Sequence, residues 1–289
     1  MHYEGNVIRP PSEADSIILQ ITVGCSHNKC TFCGAYKDEL FRLKADEVIN
    51  ADLAFAGQYC RRQNKVFLAD GDVLVLPQKK LVALMNRIRV TLPWVNRISL
   101  YGNAKSILMK SRDDLLELKK LGLHRVYMGL ESGCDLVLDK ICKGIYADKM
   151  IEAARKIRQA GIFLSVTALL GIGGVEHSYD HARDTGIVLS KMEPNQIGVL
   201  TLMILPNTPL YEDCRSGRFT LPTARQLLLE LRSMVECLEL TRTQFQTNHA
   251  SNYLPINARL NRDKKDILAL LDKALLGEIF LKPEHLRVL

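Results

Sequence analysis

Short apolar runs alternate with amphipathic stretches along this chain, and that alternation limits what it can fold into. The runs 17–23, 66–69, 97–101, 126–130, 162–170 and 197–204 are dominated by Ile, Val, Leu and Phe with little polar alternation. Strands of that kind are covered on both faces, as in parallel sheets. The intervening stretches 46–56, 79–89, 113–121, 149–160 and 178–191 carry helical periodicity, and Gly161 closes the fourth. Parallel strands joined by helices require right-handed crossovers. The fold expected is α/β: a partial (β/α)6 TIM-like barrel with parallel strands, its functional groups at the carboxyl ends of the strands. After Pro206 the repeat stops. Helices are expected over 223–240 and 263–276, with a polar segment at 247–253 between them. The chain divides into an N-terminal segment (1–15), a core barrel (16–212) and a C-terminal helical extension packed on the barrel (213–289).

Directly after the first strand, Cys25, Cys30 and Cys33 share one short loop. Closely spaced thiolates suit zinc or iron–sulfur clusters. Structural zinc needs a fourth ligand, for which His27, inside the loop, and Cys60 are the nearest candidates. A disulfide framework is disfavoured, because Cys60, Cys134, Cys142, Cys214 and Cys237 are scattered singly and the N-terminus has no export signal. The spacing also matches a plant-type ferredoxin, with Cys60 as the distant fourth ligand. Spacing alone leaves the cluster type open. A ferredoxin, however, is not built from repeated β-α units.

The chain is long enough for a substantial core, and with 47% hydrophobic and 25% charged residues it has the composition of a globular protein. No apolar run is long and clean enough for a membrane span. No membrane partner is expected, and the singly scattered thiols without an export signal point to a reducing cytoplasm. The net charge of +7 admits an anionic substrate, a nucleic acid or an acidic electron donor and selects none. Arg61-Arg62 and Lys79-Lys80 read as solvated helix faces, so a nucleic-acid partner is disfavoured.

With these elements in order, the chain resembles the radical S-adenosylmethionine (radical SAM) superfamily. More narrowly, it resembles the broad group with an Elp3/MiaB/NifB-type core that includes oxygen-independent coproporphyrinogen oxidase-like proteins. Phe32 precedes the third cysteine, where that family carries an aromatic residue. Gly129-Leu130-Glu131-Ser132-Gly133 followed by Lys143-Gly144, the turn Gly171-Ile172-Gly173-Gly174, and Asn207-Thr208-Pro209-Leu210 match family segments at the ends of strands four, five and six. Two features depart from the pattern. Four residues rather than three separate the first two cysteines, giving CX4CX2C. Asp70-Gly71-Asp72 stands where the family has Gly-Gly-Glu or similar.

The resemblance implies a four-iron, four-sulfur cluster held by Cys25, Cys30 and Cys33, with one iron open to S-adenosylmethionine. It further implies reductive cleavage of SAM under anaerobic conditions. The 5′-deoxyadenosyl radical so formed would abstract hydrogen from a substrate, expected to be a small molecule, with a flavodoxin- or ferredoxin-type electron donor. Cofactor contacts are expected from Phe32 beside adenine and from Asp70, Gly71 and Asp72 at the ammonium. Glu131 and Ser132 are expected at the ribose or ammonium, Lys143 at the carboxylate, and Gly171, Gly173 and Gly174 at the adenine. Asn103 and Thr167 are further contact candidates. Tyr101, His249 and Tyr253 are the catalytic candidates, because they would line the barrel mouth. Two other readings stand beside this one: a methylthiotransferase-like enzyme acting on RNA, and a non-catalytic iron–sulfur electron carrier.

Overall fold

The computed structural model describes residues 1–288. In chain order its main elements are β1 (Ile17–Gln20), β2 (Thr22–Val23), β3 (Arg42–Leu43), α1 (Asp46–Tyr59), β4 (Lys65–Ala69), α2 (Gln78–Thr91) and β5 (Arg97–Tyr101). There follow α3 (Ala104–Leu108), α4 (Arg112–Lys120), β6 (Leu123–Glu131), α5 (Asp135–Lys140), α6 (Ala147–Gln159) and β7 (Phe163–Leu170). The last are α7 (Ser178–Met192), β8 (Gln196–Thr201), α8 (Pro209–Arg215), α9 (Ala224–Glu236), β9 (Thr243–Gln246), β10 (Asn257–Leu260) and α10 (Lys264–Leu275). The fold is α/β, and all six expected strands form.

The chain makes two compact units. The first comprises Met1–Asn28, Ala35–Met128 and Lys156–Leu164. Here β1 pairs in parallel with β4, β4 with β5, and β5 with β6. Gln20 lies opposite Ala69, which sets the ends of β1 and β4 level. Buried Val66, Phe67, Leu68, Ile98, Leu100 and Val126 fill this sheet, as expected of strands covered on both faces. The pair β2–β3 forms a small antiparallel ribbon. Ser111 and Asp114 cap α4 reciprocally, which explains why this short helix starts where it does.

The second unit comprises Lys29–Gly34, Gly129–Arg155 and Ser165–Leu289. In it β7 pairs in parallel with β8, β8 in parallel with β9, and β9 antiparallel with β10. The extension thus contributes two strands besides the expected helices α9 and α10. Periodicity missed them because β9 is Thr-Gln-Phe-Gln and β10 is Asn-Ala-Arg-Leu. Each offers a single large apolar residue, buried Phe245 and Leu260. Strand β8 is also shorter than the apolar run 197–204, ending at Thr201. Helix α9 starts at a Thr223–Gln226 capping box and packs against α7 and α10.

Candidate active site at the strand ends

In the first unit, the loop after β2 begins at Gly24 with φ +78°, a backbone that glycine adopts at no steric cost. Gly24 accepts a hydrogen bond from the Gly71 amide at 3.3 Å, which brings Cys25 against the turn after β4. A Cβ at Gly71 would stand 3.1 Å from the Cys25 Cβ and 3.0 Å from the Tyr36 ring. A side chain at Gly71 would have to push back the Cys25 side chain or the Tyr36 ring for the 70–72 turn to close on the cysteine loop.

The two aspartates of that turn do different things. Asp70 is fully buried; its Oδ2 accepts from Gln20 Nε2 at 2.7 Å, and its Oδ1 has no hydrogen-bond partner. Burial pushes its carboxyl up to about 6, against the pull of the Gln20 hydrogen bond. Asp72, also buried, is saturated. Its Oδ2 accepts from Ser26 Oγ and Ser106 Oγ, each at 2.6 Å, and its Oδ1 from the Asn103 amide at 3.1 Å. Burial raises this carboxyl as well. The expected pair of equivalent ammonium contacts becomes one carboxylate with an open oxygen and one that ties Ser26 to the start of α3.

Asn103 is occupied too, its side chain capping α3 through the Lys105 amide at 3.0 Å. Tyr101 stands edge-on to Phe67 with ring centroids 5.2 Å apart, and 5.8 Å from Tyr127. Burial raises the Tyr101 phenol well above its ordinary value.

In the second unit, the loop carrying Cys30, Phe32 and Cys33 is anchored through its backbone. The Thr31 amide donates to Ile141 at the end of α5, and Thr31 accepts from the Leu210 amide, both at 3.0 Å. Asn207 Nδ2 donates to the Gly34 carbonyl at 2.9 Å. The segment 207–210 is therefore a clamp on the cysteine loop. Cys30, Phe32 and Cys33 are half-buried, as is Cys25 in the first unit.

At the tip of β6, Glu131 takes φ +64°, and its Oε1 accepts from Lys143 Nζ at 2.9 Å. The two candidates thus form one pair. Ser132 is fully buried, with its Oγ 2.8 Å from His181 Nδ1. The glycine turn after β7 is held by Glu230 of α9: the Gly171 amide donates to Glu230 Oε1 at 2.6 Å, and Ser178 Oγ donates to Oε2. Thr167, within β7, is half-buried opposite Gly198 of β8. A Cβ at Gly173 would come within 3.1 Å of the His177 carbonyl, and one at Gly174 within 3.1 Å of the Phe219 ring, so neither position has room for a larger residue.

The polar segment 247–253 folds onto the end of β8. Asn252 Nδ2 donates to the Val199 and Thr247 carbonyls, and its Oδ1 accepts from Thr201 Oγ1, all at 2.8 Å. His249 Nδ1 lies 2.9 Å from Ser251 Oγ, and burial lowers its imidazole below the usual value. Tyr253 is engaged by Glu284 and Arg287, whose guanidinium also lies 4.1 Å from the Tyr253 ring centroid.

Sequence reading missed His181 and Glu230. Both carried a signal. Glu230 falls on the same helical face as buried Leu227, Leu231 and Met234, where a carboxylate needs a partner. His181 likewise shares the buried face of α7 with Thr185 and Val188.

Among the described residues, no group of three His, Cys, Asp or Glu side chains is gathered closely enough to hold a metal ion. No helix among them is long and apolar enough to cross a membrane. Residues 19–185 match the sequence model of the radical SAM superfamily, more than half of the chain, from within β1 through β7. The chain belongs to the radical SAM superfamily.

Solved structures agree on the fold of this radical SAM chain. The radical S-adenosylmethionine methyltransferase TsrM from Kitasatospora setae, determined with cobalamin and a 4Fe–4S cluster, matches with a TM-score of 0.55 at 18% identity, over 71% of this chain and 38% of that one. Coproporphyrinogen III oxidase (HemN) from Escherichia coli, described as a radical SAM enzyme, matches with a TM-score of 0.55 at 16% identity, over 76% and 51%. Methylornithine synthase (PylB) matches with a TM-score of 0.53 at 15% identity, over 93% and 83%. These likenesses show the mostly parallel α/β core expected from the sequence. The chain spans only about two fifths of TsrM and half of HemN. No curated protein matches it in sequence.

Proposed function

We propose that this radical SAM chain is an enzyme that cleaves S-adenosylmethionine reductively and uses the resulting 5′-deoxyadenosyl radical to abstract hydrogen from a small-molecule substrate. One observation carries the reading: the superfamily match at 19–185 spans Cys25, Cys30, Cys33, the 70–72 turn, the Glu131–Ser132 tip and the glycine turn.

The residues present fit the cofactors. Three half-buried thiols are the soft donor set that an iron–sulfur cluster takes, and they leave the fourth iron of a cubane without a protein ligand. Asp70 Oδ1 is a buried acceptor lacking a donor, which suits an ammonium group. The cluster, once bound, supplies the electron for sulfonium cleavage, and SAM supplies the hydrogen-abstracting group.

The remaining work belongs to this chain's residues. Cys25, Cys30 and Cys33 hold the cluster, and Asp72 orders their loop through Ser26. Asp70 receives the SAM ammonium. The Glu131–Lys143 pair opens to exchange its mutual contact for the ribose hydroxyls and the carboxylate of SAM. Ser132, Thr167 and the glycine turn bound the nucleoside, with Phe32 beside the adenine. Tyr101 and the 247–253 segment, with His249 and Tyr253, shape the substrate side. A flavodoxin- or ferredoxin-type protein delivers the electron.

Protein reconstituted anaerobically with iron and sulfide, then given SAM and dithionite, tests the reading. Release of 5′-deoxyadenosine is expected. A fully iron-loaded protein that releases none would be an electron carrier instead. Deuterium transfer from labelled candidate compounds into 5′-deoxyadenosine then identifies the substrate.

A further inference from the structure

The second unit holds a buried polar group of which the proposed chemistry uses only Ser132. Glu230, His181, Ser132 and Thr185 are all within 2% of complete burial, and they come from α9, α7, the residue after β6, and α7 again. Their hydrogen bonds run outward to the two features proposed to face SAM. Glu230 Oε1 accepts from the Gly171 amide at 2.6 Å, and Ser178 Oγ secures Oε2. His181 Nδ1 meets Ser132 Oγ at 2.8 Å, and Thr185 Oγ1 accepts from the Gly133 amide at 2.8 Å. His181 Nε2 and Glu230 Oε1 stand 3.5 Å apart, so the two halves pack against each other without a hydrogen bond between them. His181 Cβ also bounds the space beside Gly173, 3.2 Å from where a side chain would begin.

We propose that Glu230, supplied by the C-terminal extension, is a positioning residue for SAM: it holds the glycine turn after β7 directly and, with His181, registers that turn against the Ser132 tip of β6. The proposal rests on the reading that both features face SAM. Gly171 has φ +82°, so its amide is presented by a backbone that local preference does not enforce in competition with other turns. A buried acceptor at 2.6 Å selects that one geometry, because an amide directed elsewhere would leave Glu230 Oε1 unsatisfied in the core. The extension is thereby part of the cofactor site and more than a cover for the barrel.

A structural role and a positioning role predict different outcomes for Glu230→Leu. Glu230→Leu leaves the Gly171 amide and the Ser178 hydroxyl without their acceptor, so thermal stability falls under either role and does not distinguish them. Positioning predicts that SAM affinity of the folded protein falls as well, by about tenfold, the worth of one lost buried hydrogen bond. It also predicts faster hydrogen exchange at the Gly171 amide, with iron content and cluster absorbance unchanged. Glu230→Gln keeps an acceptor for Gly171 and should restore affinity to within about threefold. If the leucine variant does not accumulate folded, the half-exposed Ser178→Ala releases Oε2 and should weaken SAM by about threefold.

The readouts are SAM binding by equilibrium dialysis on anaerobically reconstituted protein and amide exchange on the same samples. Faster exchange at Gly171 with wild-type SAM affinity overturns the proposal, as does unaltered affinity in Ser178→Ala when the leucine variant is not obtained. Wild-type protein that carries its cluster and binds no SAM overturns the reading beneath it, and the proposal with it.

Discussion

Asp72 Oδ2 accepts a hydrogen bond from Ser26 Oγ at 2.6 Å, so the carboxylate three residues beyond the end of β4 is tied to the residue directly after Cys25. The same oxygen accepts from Ser106, and Oδ1 from the Asn103 amide. Three donors from two elements converge on one buried group, and each would be left unsatisfied without it. Asp72→Ala should therefore destabilise the protein by about 3 kcal/mol, and Ser26→Ala by about 1 kcal/mol. Urea unfolding measures both. Iron retained after reconstitution should fall in the same order. Full iron loading of Asp72→Ala at wild-type stability would refute the role.

Asp70 contrasts with its neighbour. With Oδ1 unpartnered, Asp70→Asn removes little that the unliganded protein uses, and stability should stay within about 1 kcal/mol of wild type. SAM affinity should nevertheless fall by about tenfold or more, because a charge-assisted contact to the ammonium is lost. Isothermal titration of the reconstituted protein checks this. A large stability loss with intact affinity would reverse the assignment.

Cys25, Cys30 and Cys33 are proposed to act as one unit. Serine at any of the three should abolish the cluster absorbance and 5′-deoxyadenosine release together, whereas Cys60→Ser and Cys214→Ser should leave both at wild-type levels. Iron and sulfide analysis beside product assay separates the cases. A Cys60→Ser variant without a cluster would return the fourth-ligand reading to first place.

Glu230 and His181 give stability a pH signature whose two parts oppose each other. Burial pushes the Glu230 carboxyl from 4.5 up to about 7, so the neutral acid contributes stability that is fully present below pH 4.5 and lost as pH rises through about 7. Burial pulls the His181 imidazole from 6.5 down to about 4, so its contribution is present above pH 6.5 and lost as pH falls through about 4. Both groups are neutral between those limits, and their 3.5 Å contact is not an ion pair there. Glu230→Gln removes one slope and should make stability rise with pH between about 4.5 and 6.5, by up to about 3 kcal/mol. His181→Asn should make it fall over a similar range. Urea titrations at four pH values measure the slopes. Variants as flat as wild type would show that neither group titrates in the folded state as described.

Local pattern carried most of the strand and helix order, because whether a strand or helix buries a face is written in the spacing of its own apolar residues. The cysteine loop, the Gly129–Gly133 tip and the glycine turn could be singled out as candidates for a similar reason: each is a short contiguous segment of sequence. Strands β9 and β10 were not, since four-residue strands with one apolar anchor each are stabilised by the partner they pair with. Nor was the difference between Asp70 and Asp72, two residues apart with the same side chain, which lies in the Ser26 and Ser106 hydroxyls that reach one and not the other. Glu230 and Gly171 are separated by 59 positions, and His181 and Ser132 by 49. Which buried polar groups meet depends on where helices and strands come to rest after the chain has crossed between them. Periodicity records burial and is silent about partners, so those pairings were decided by the tertiary fold alone.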